Sequence, residues 1–456
     1  MSRFISLSIA LLTMLLCRTT SLSAADAVPD VGGRIEDPFS YVEQLAADVV
    51  ADGELATSTP LIPTSTSIEM FKRKVHNSPE DFRCRTILGQ LYLRSAKEND
   101  NLAAFEKAEN VLREALKQAN NYQPARIHLA IALQARHQFQ ESLELANEYL
   151  EAKPGDALGS ATLGDAQIEL GQYEAAARTY SDLKGKSTGP PVLARLAHLE
   201  ELLGNSNAAL AQLKQAVNLM EESGALESSQ AWYQMRLGHQ YFSMGELEQA
   251  EACYRKSMTL EPDYAPAMSG LAMVLAGQTQ MDEAQQLALR AVELHGEPPM
   301  MAQLGDLLTL AGRRTEAMAW YDKAANAMAE EAKVAAAAHY RERALFLLDH
   351  DRELELAMEL AEQDLAARPS IESEDAMAWA LYKNGKPEAA LRHIRLALRL
   401  GTRNALMHYH AGKIHEALGH SDEAMSQFEL ALEINAAFSI LGSSDAKTAL
   451  ASLSNP

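Results

Sequence analysis

The sequence is poor in the residues that would build a disulfide framework or a nucleic-acid surface. Three cysteines occur in 456 residues, which is too few to brace a chain of this length with disulfide bonds. Aromatic residues make up only 6%, a composition that suits closely packed helices better than a β-sandwich or barrel. Acidic residues outnumber basic residues 62 to 41, the formal net charge is −21, and no basic block offsets it. Nucleic acid is therefore excluded as the expected partner.

The sequence also lacks the motifs that are typical of enzymes and metal sites. It contains no Gly-x-Ser-x-Gly, phosphate-binding glycine loop, zinc-type cysteine pairs or dinucleotide fingerprint. In the segment from His415 to His420 two histidines flank Glu416, but they are five residues apart, where a zinc protease needs four, and a turn glycine intervenes. The sequence predicts a protein that is not an enzyme and needs no cofactor.

Five of the 13 histidines fall within 28 residues of the C-terminal part. They are His393, His408, His410, His415 and His420. His408 and His415, seven residues apart, share a helical face. One interpretation is a metal site or a pH-responsive contact, and the other is that both occupy ordinary packing positions. Metal or small-ligand binding by these histidines stays open as an alternative function.

The first 25 residues have the pattern of an export signal. Arg3 supplies a positive start, residues 4–16 an apolar stretch, and Ala24 and Ala25 a small-residue cleavage point. At about 1.5 Å per residue the apolar stretch spans roughly 20 Å, short of the ~30 Å hydrocarbon core. We therefore expect a cleaved signal peptide, no permanent membrane span, and a periplasmic or extracellular location in a bacterial envelope. An uncleaved anchor is the alternative.

Residues 26–67 have the composition of a linker. One short helix is expected in this segment, at Pro38–Val50. Proline, serine and threonine dominate the second half of the segment. From Ile68 onward the composition changes, because Ile68, Phe71 and Val75 give the spacing of an amphipathic helix. This helix is expected to cap the segment that follows.

A small residue then returns at near-constant spacing. Gly238, Ala272 and Gly305 are 34 and 33 residues apart, and Ala378 and Gly412 are 34 apart. Such a period indicates stacked repeats. A small residue lets paired helices approach closely, while a large neighbour fills the gap beside it. The glycines expected to close each first helix in the left-handed conformation are Gly171, Gly204, Gly245, Gly312, Gly385 and Gly419.

The unit with Leu237-Gly238, Tyr241, Ala250 and Tyr254 resembles a tetratricopeptide repeat, a helix-turn-helix unit of about 34 residues. The resemblance implies an all-α solenoid, a right-handed superhelix of about ten such units. The array is expected at 68–436, with a lengthened loop at 221–229 and a capping helix and tail at 437–456. An irregular unit is expected at 325–369, with an oversized first helix at 336–348.

In this family the first helices line a concave groove that binds a peptide or protein segment. The resemblance therefore implies a protein-interaction scaffold whose partner contacts the positions beside the crossing residues. Carried onto this sequence, these positions are Met235, His239, Phe242, Met273, Asp306, Asp375, Trp379, Tyr382, Lys383, Tyr409, Lys413 and Glu416. The rival function is an accessory subunit of an envelope enzyme assembly. Families that join these repeats to a catalyst carry a further domain of ordinary size, for which this sequence leaves no room.

Overall fold

The computed structural model describes residues 63–98, 102–185, 188–334 and 340–454. The expected export signal and the expected helix at Pro38–Val50 lie outside this range. Every regular element within it is an α-helix, and these helices follow one another in antiparallel pairs, as an all-α solenoid requires. None of the helices in the described ranges is both long and apolar enough to cross a bilayer.

The described residues fall into two units, which divide between residues 167 and 168. The first unit contains α1 (Thr64–Asn77), α2 (Phe82–Glu98), α3 (Leu102–Gln118), α4 (Gln123–Ala135), α5 (Phe139–Ala152) and nearly all of α6 (Ala157–Glu169). The second unit contains α7 (Tyr173–Lys184), α8 (Pro190–Leu202), α9 (Ser206–Glu222), α10 (Glu227–Ser243), α11 (Leu247–Leu260), α12 (Ala265–Gly277), α13 (Met281–His295), α14 (Pro298–Leu310), α15 (Arg314–Val334), α16 (Tyr340–Asp349), α17 (Leu354–Ala367), α18 (Ile371–Lys383), α19 (Pro387–Ala397), α20 (Ala405–Ala417), α21 (Ser421–Ile434) and α22 (Gly442–Ser454).

Small residues hold the two helices of each pair close together. A Cβ atom added to Gly238 would lie 2.8 Å from the ring of Tyr254, and one added to Gly412 would lie 2.5 Å from the ring of Phe428. Both rings are fully buried, and so is Ala284, which corresponds to Ala250 of the preceding repeat. The sequence predicted a small residue on one helix beside a large residue on the other, and these crossings confirm it. A side chain larger than that of glycine would occupy the space of the ring.

The turn inside each pair has a fixed left-handed position. The six glycines predicted for it have φ between 67° and 78°, which confirms the prediction. Residues other than glycine also take this place. His137 (φ 59°) follows Ala130 by seven residues, and Thr279 (φ 65°) follows Ala272 by seven. The position in the repeat therefore imposes the conformation even where the side chain disfavours it.

Replacing Thr279 by glycine should stabilise the protein. A β-branched residue is strained in the left-handed region, and relief of that strain exceeds the entropy cost of glycine, so we expect the free energy of unfolding to rise by about 0.5–1 kcal/mol. Urea unfolding of both proteins measures the difference. Gly385→Thr is the reciprocal control, since Gly385 has φ 71° and no heavy atom within 4 Å of an added Cβ. A loss of stability in Thr279→Gly would contradict the strain.

The second unit meets itself several helix pairs farther along the chain. A Cβ added to Gly204 would lie 2.2 Å from the carbonyl oxygen of Gly401, and one added to Gly245 would lie 2.8 Å from that of Ile434. The turn inside an early pair thus touches the connection between two late pairs, backbone against backbone. These are contacts that a fully open ribbon of repeats would not make.

Hydrogen bonds reinforce this contact on both sides. The side-chain amide of Asn435 donates to the carbonyl oxygen of Phe242 over 2.7 Å, and these residues are 193 apart in sequence. The backbone N–H of Ile371 donates to the hydroxyl of Tyr173 over 2.8 Å, across 198 residues. Both bonds satisfy polar groups that the contact buries, so they favour this one alignment of the two edges.

A buried ionic cluster lies at the same contact. Arg368 is fully buried and donates from Nε to Asp364 over 2.7 Å, and Asp364 also accepts a 2.6 Å hydrogen bond from the hydroxyl of Ser373. Glu169 lies 3.7 Å from the same guanidinium. Burial raises the pKa of Glu169 despite the nearby arginine, so its carboxylate depends on that pairing. Removing one member of such a cluster leaves a buried charge uncompensated.

The contact predicts a difference between two otherwise similar glycines. Gly204→Ala and Gly385→Ala place alanine at φ 78° and 71°, which costs each variant about 1–2 kcal/mol. Only the methyl group at position 204 collides with another backbone segment. We therefore expect the free energy of unfolding of Gly204→Ala to fall by a further 1–3 kcal/mol or so. Thermal unfolding compares the two variants. Equal losses would show that the edges do not touch in solution.

Two boundaries differ from the sequence-based expectations. The long loop expected at 221–229 is only 223–226, because α9 extends to Glu222 and α10 begins at Glu227. Helix α1 begins at Thr64, inside the expected linker. In both cases the helix includes residues whose polar composition suggested a loop. The oversized first helix expected at 336–348 lies partly outside the described range, which includes it as α16 from Tyr340 to Asp349.

Candidate functional site

Five aromatic rings come together near the end of the second unit. We name them the C-terminal cluster, and they are Trp379 and Tyr382 on α18, Tyr409 and His410 on α20, and Phe438. The Trp379 ring stacks on His410 at 4.1 Å and on Tyr382 at 4.9 Å, and Tyr409 lies 5.9 Å from it. Tyr409 lies 5.5 Å from Phe438. The three rings that the sequence placed on one surface are therefore in contact.

Trp379 forms the buried base of this cluster. Its side chain is 4% exposed, and its indole N–H donates to Asp349 over 3.0 Å. His410 is fully buried behind it and contacts Asp375 through Nδ1 at 2.9 Å. Trp379 and Asp375, both expected to meet a partner, serve mainly to hold neighbouring first helices together.

Tyr382 is the more accessible ring. It is half-buried, and among the described residues its hydroxyl has no hydrogen-bond partner. Tyr409, by contrast, donates its hydroxyl to Asp445 over 2.9 Å. Burial raises the pKa of both phenols, so each keeps its proton at neutral pH. Tyr382 therefore offers a free O–H group and one side of an aromatic ring.

The two lysines beside the cluster are already paired with carboxylates. Lys383 forms an ion pair with Asp351, and its ammonium lies 5.3 Å from the centre of the Trp379 ring. The ammonium of Lys413 lies 2.9 Å from Glu416 and 3.1 Å from Asp445.

Burial alone would lower the pKa of Lys413, but hydrogen bonds to Glu416 and Asp445 outweigh burial and raise it. Lys413 therefore stays charged at neutral pH. Its charge is compensated within the protein.

The central residues of the expected groove are less accessible. Phe242 is fully buried and Met235 is 4% exposed, so their side chains pack the interior. His239 is also buried, and burial, assisted by the charge of Arg236, holds its pKa well below the ordinary value. Met273 is half-buried, as is Asp306. In the central part the positions beside the crossings thus expose little surface.

Asp306 belongs to a separate polar group between α14 and the end of α16. It accepts hydrogen bonds from the hydroxyl of Tyr321 over 2.9 Å and from Nε2 of His350 over 2.8 Å. Nδ1 of His350 lies 2.6 Å from the carbonyl oxygen of Phe346. Because both ring nitrogens face acceptors, protonation of both nitrogens satisfies both contacts, and the arrangement favours the cationic imidazole. Burial would lower the pKa of His350, but Asp306, with a smaller contribution from Asp349, outweighs burial and raises it.

His350 should make the stability of the second unit depend on pH. A raised pKa in the folded state stabilises the protein fully below the unfolded value near 6.5, and this contribution is lost as pH rises through the folded pKa. We expect the stability difference between the wild type and His350→Gln to shrink as pH rises from about 6 to 9. Urea unfolding across that range measures it.

His408→Gln is the matched control, because His408 lies elsewhere and contacts Gln427 at 2.7 Å. A stability difference for His350→Gln that stays constant with pH would mean that His350 is neutral in the folded protein.

The C-terminal histidines have separate neighbours. His393 lies 2.7 Å from Glu374, and the Nδ1 atoms of His415 and His420 are 3.3 Å apart. In the described ranges no three histidine, cysteine or acidic side chains converge as a metal ion would require.

Several residues of the site were missed in the sequence. Asp349 and Asp351 lie in the irregular unit, where the small-residue spacing fades and no register pointed to them. Asp445 and Phe438 lie after the last repeat, in the segment expected only to cover it. Their roles depend on contacts with α18 and α20, for which the local sequence carries no signal.

Comparison with known proteins identifies the kind of repeat in this fold. The fold is an all-α solenoid, and family models described as "Tetratricopeptide repeat" match residues 232–264 and 376–439. Tetratricopeptide repeats are therefore present in the second unit, and the longer match includes α18 and α20. No curated protein matches the chain.

Solved structures that match the chain include MamA, with 20% sequence identity over 37% of this chain and 95% of that chain, at a TM-score of 0.31. Another is the TPR domain of P58(IPK), with 14% identity over 91% of this chain and 99% of that chain, at a TM-score of 0.29.

Proposed function

We propose that this protein is a non-catalytic scaffold that binds a peptide or protein segment at the C-terminal cluster. The observation that carries the proposal is Tyr382, a half-buried ring with an unpaired hydroxyl, stacked on a buried tryptophan and flanked by charged side chains. Large amphipathic rings on a rigid base are favoured anchors in protein interfaces. The tetratricopeptide repeats that match this region are an interaction fold, which agrees with such a role.

The proposed surface lies on helices that need no rearrangement to receive a partner. Trp379 is fixed by stacking and by its hydrogen bond to Asp349, so a partner that contacts Tyr382 meets a preformed base. Binding then costs less ordering entropy than it would on a mobile loop. We further propose, from the first 25 residues alone, that the protein acts after export.

Tyr382→Ala should weaken binding of the partner about tenfold or more, since it removes the accessible anchor while leaving the buried base in place. Proteins captured from an envelope extract supply candidate segments, and calorimetry with the purified segment gives the dissociation constant. Tyr241→Ala is the matched control, because Tyr241 is a half-buried tyrosine on another first helix. Unchanged affinity in a folded Tyr382→Ala protein would exclude the C-terminal cluster as the binding site.

The proteins captured from the extract also distinguish the proposed scaffold from the alternative function, an accessory subunit of an envelope enzyme assembly. An envelope enzyme that binds through Tyr382 would make the protein an accessory subunit of that enzyme.

A further inference from the structure

We infer that the segment bound at the C-terminal cluster is cationic, with lysine or arginine beside its apolar residues. This inference rests on the proposed function and specifies the partner's charge. Lys383 and Lys413 beside the aromatic rings would by themselves favour an acidic partner, but the carboxylates around them favour a cationic one.

The carboxylates around the cluster outnumber the lysines. The charged side chains that contact Trp379, Tyr409 or the two lysines are Asp349, Asp351, Glu416, Asp445, Lys383 and Lys413. Four carboxylates against two ammonium groups leave a net charge of −2, in a chain whose formal charge is −21. An acidic segment would therefore bring like charges together, at a cost in binding free energy.

The carboxylate and lysine side chains differ more in their exposure to solvent than in their number. The side chains of Lys383 and Lys413 are each only 16% exposed, whereas that of Asp351 is 70% exposed, that of Asp445 46% and that of Glu416 32%. The lysine side chains are thus mostly buried, and these three carboxylate side chains are more exposed to the solvent. A partner approaching the cluster meets negative charge first.

A cationic side chain also matches the chemistry of the rings. Lys383 already places an ammonium 5.3 Å from the centre of the Trp379 ring, which shows that this ring system accepts a cation within the protein. Tyr382 presents a similar ring that is open to solvent on the same surface. A lysine or arginine of the partner could lie over Tyr382 and form an ion pair with Glu416 or Asp445.

The test uses the mature protein and three synthetic peptides of one length and one apolar content. Their charged positions are all arginine and lysine, all serine, or all glutamate. We expect the cationic peptide to bind at least about tenfold more tightly than the serine peptide, with an affinity that falls as salt rises. The glutamate peptide should bind more weakly than either. Fluorescence anisotropy at two salt concentrations measures all three.

Two charge variants separate this site from the general negative charge of the chain. Asp351→Asn with Asp445→Asn removes two charges at the cluster, and Glu355→Gln with Glu359→Gln removes two from exposed positions on α17. Only the variant with Asp351→Asn and Asp445→Asn should bind the cationic peptide about tenfold more weakly. Circular dichroism verifies that both variants remain helical.

The outcomes distinguish the two proposals. Tighter binding of the glutamate or serine peptide, lost in Tyr382→Ala, would overturn the cationic inference and leave the proposed function standing. If both charge variants weakened binding of the cationic peptide equally, the cationic inference would also be overturned. The net negative charge of the chain would then be sufficient to explain the binding. If no peptide bound, and the partner captured from an extract bound Tyr382→Ala as well as the wild type, both proposals would be wrong.

Discussion

At the crossings in this solenoid the paired helices are so close that a methyl group on Gly238 would lie 2.8 Å from the ring of Tyr254. That close approach fixes the distance and the angle between the helices of a pair. The angle in turn sets the direction in which the next pair stacks. Each repeat contributes only a small rotation, but the rotations add along the array.

The sum of those rotations brings the second unit into contact with itself. Gly204 meets the connection at Gly401, Gly245 meets the one at Ile434, and a buried ionic cluster around Arg368 lies at the same contact. Because the edges touch backbone to backbone, a small change of angle in any intervening pair would separate them. The contact therefore constrains the helices on both of its sides, including α18 and α20, which carry the C-terminal cluster.

The C-terminal cluster shows how a repeat scaffold acquires a particular surface. Trp379 is used for packing, and Tyr382 is left accessible above it. The flanking carboxylates come from three different places, namely the end of α16, the first helix α20 and the final helix α22. Since the exposed charges are mostly carboxylates, the surface favours a basic segment even though two lysines lie beside the rings.

The period of about 34 residues was sufficient to predict the all-α class, the helix pairs and the left-handed turn glycines. These properties depend on contacts between residues near one another in sequence, so the local pattern records them. The sequence also placed Trp379, Tyr382 and Tyr409 on one surface, because their spacing follows from the repeat.

The burial of Trp379 and Phe242, the sign of the exposed charge and the contacts across 193 and 198 residues were decided by the tertiary structure. They depend on rotations added over many pairs, on an irregular unit whose register the sequence obscured, and on a final helix outside the repeat. No single repeat contains the information that sets them.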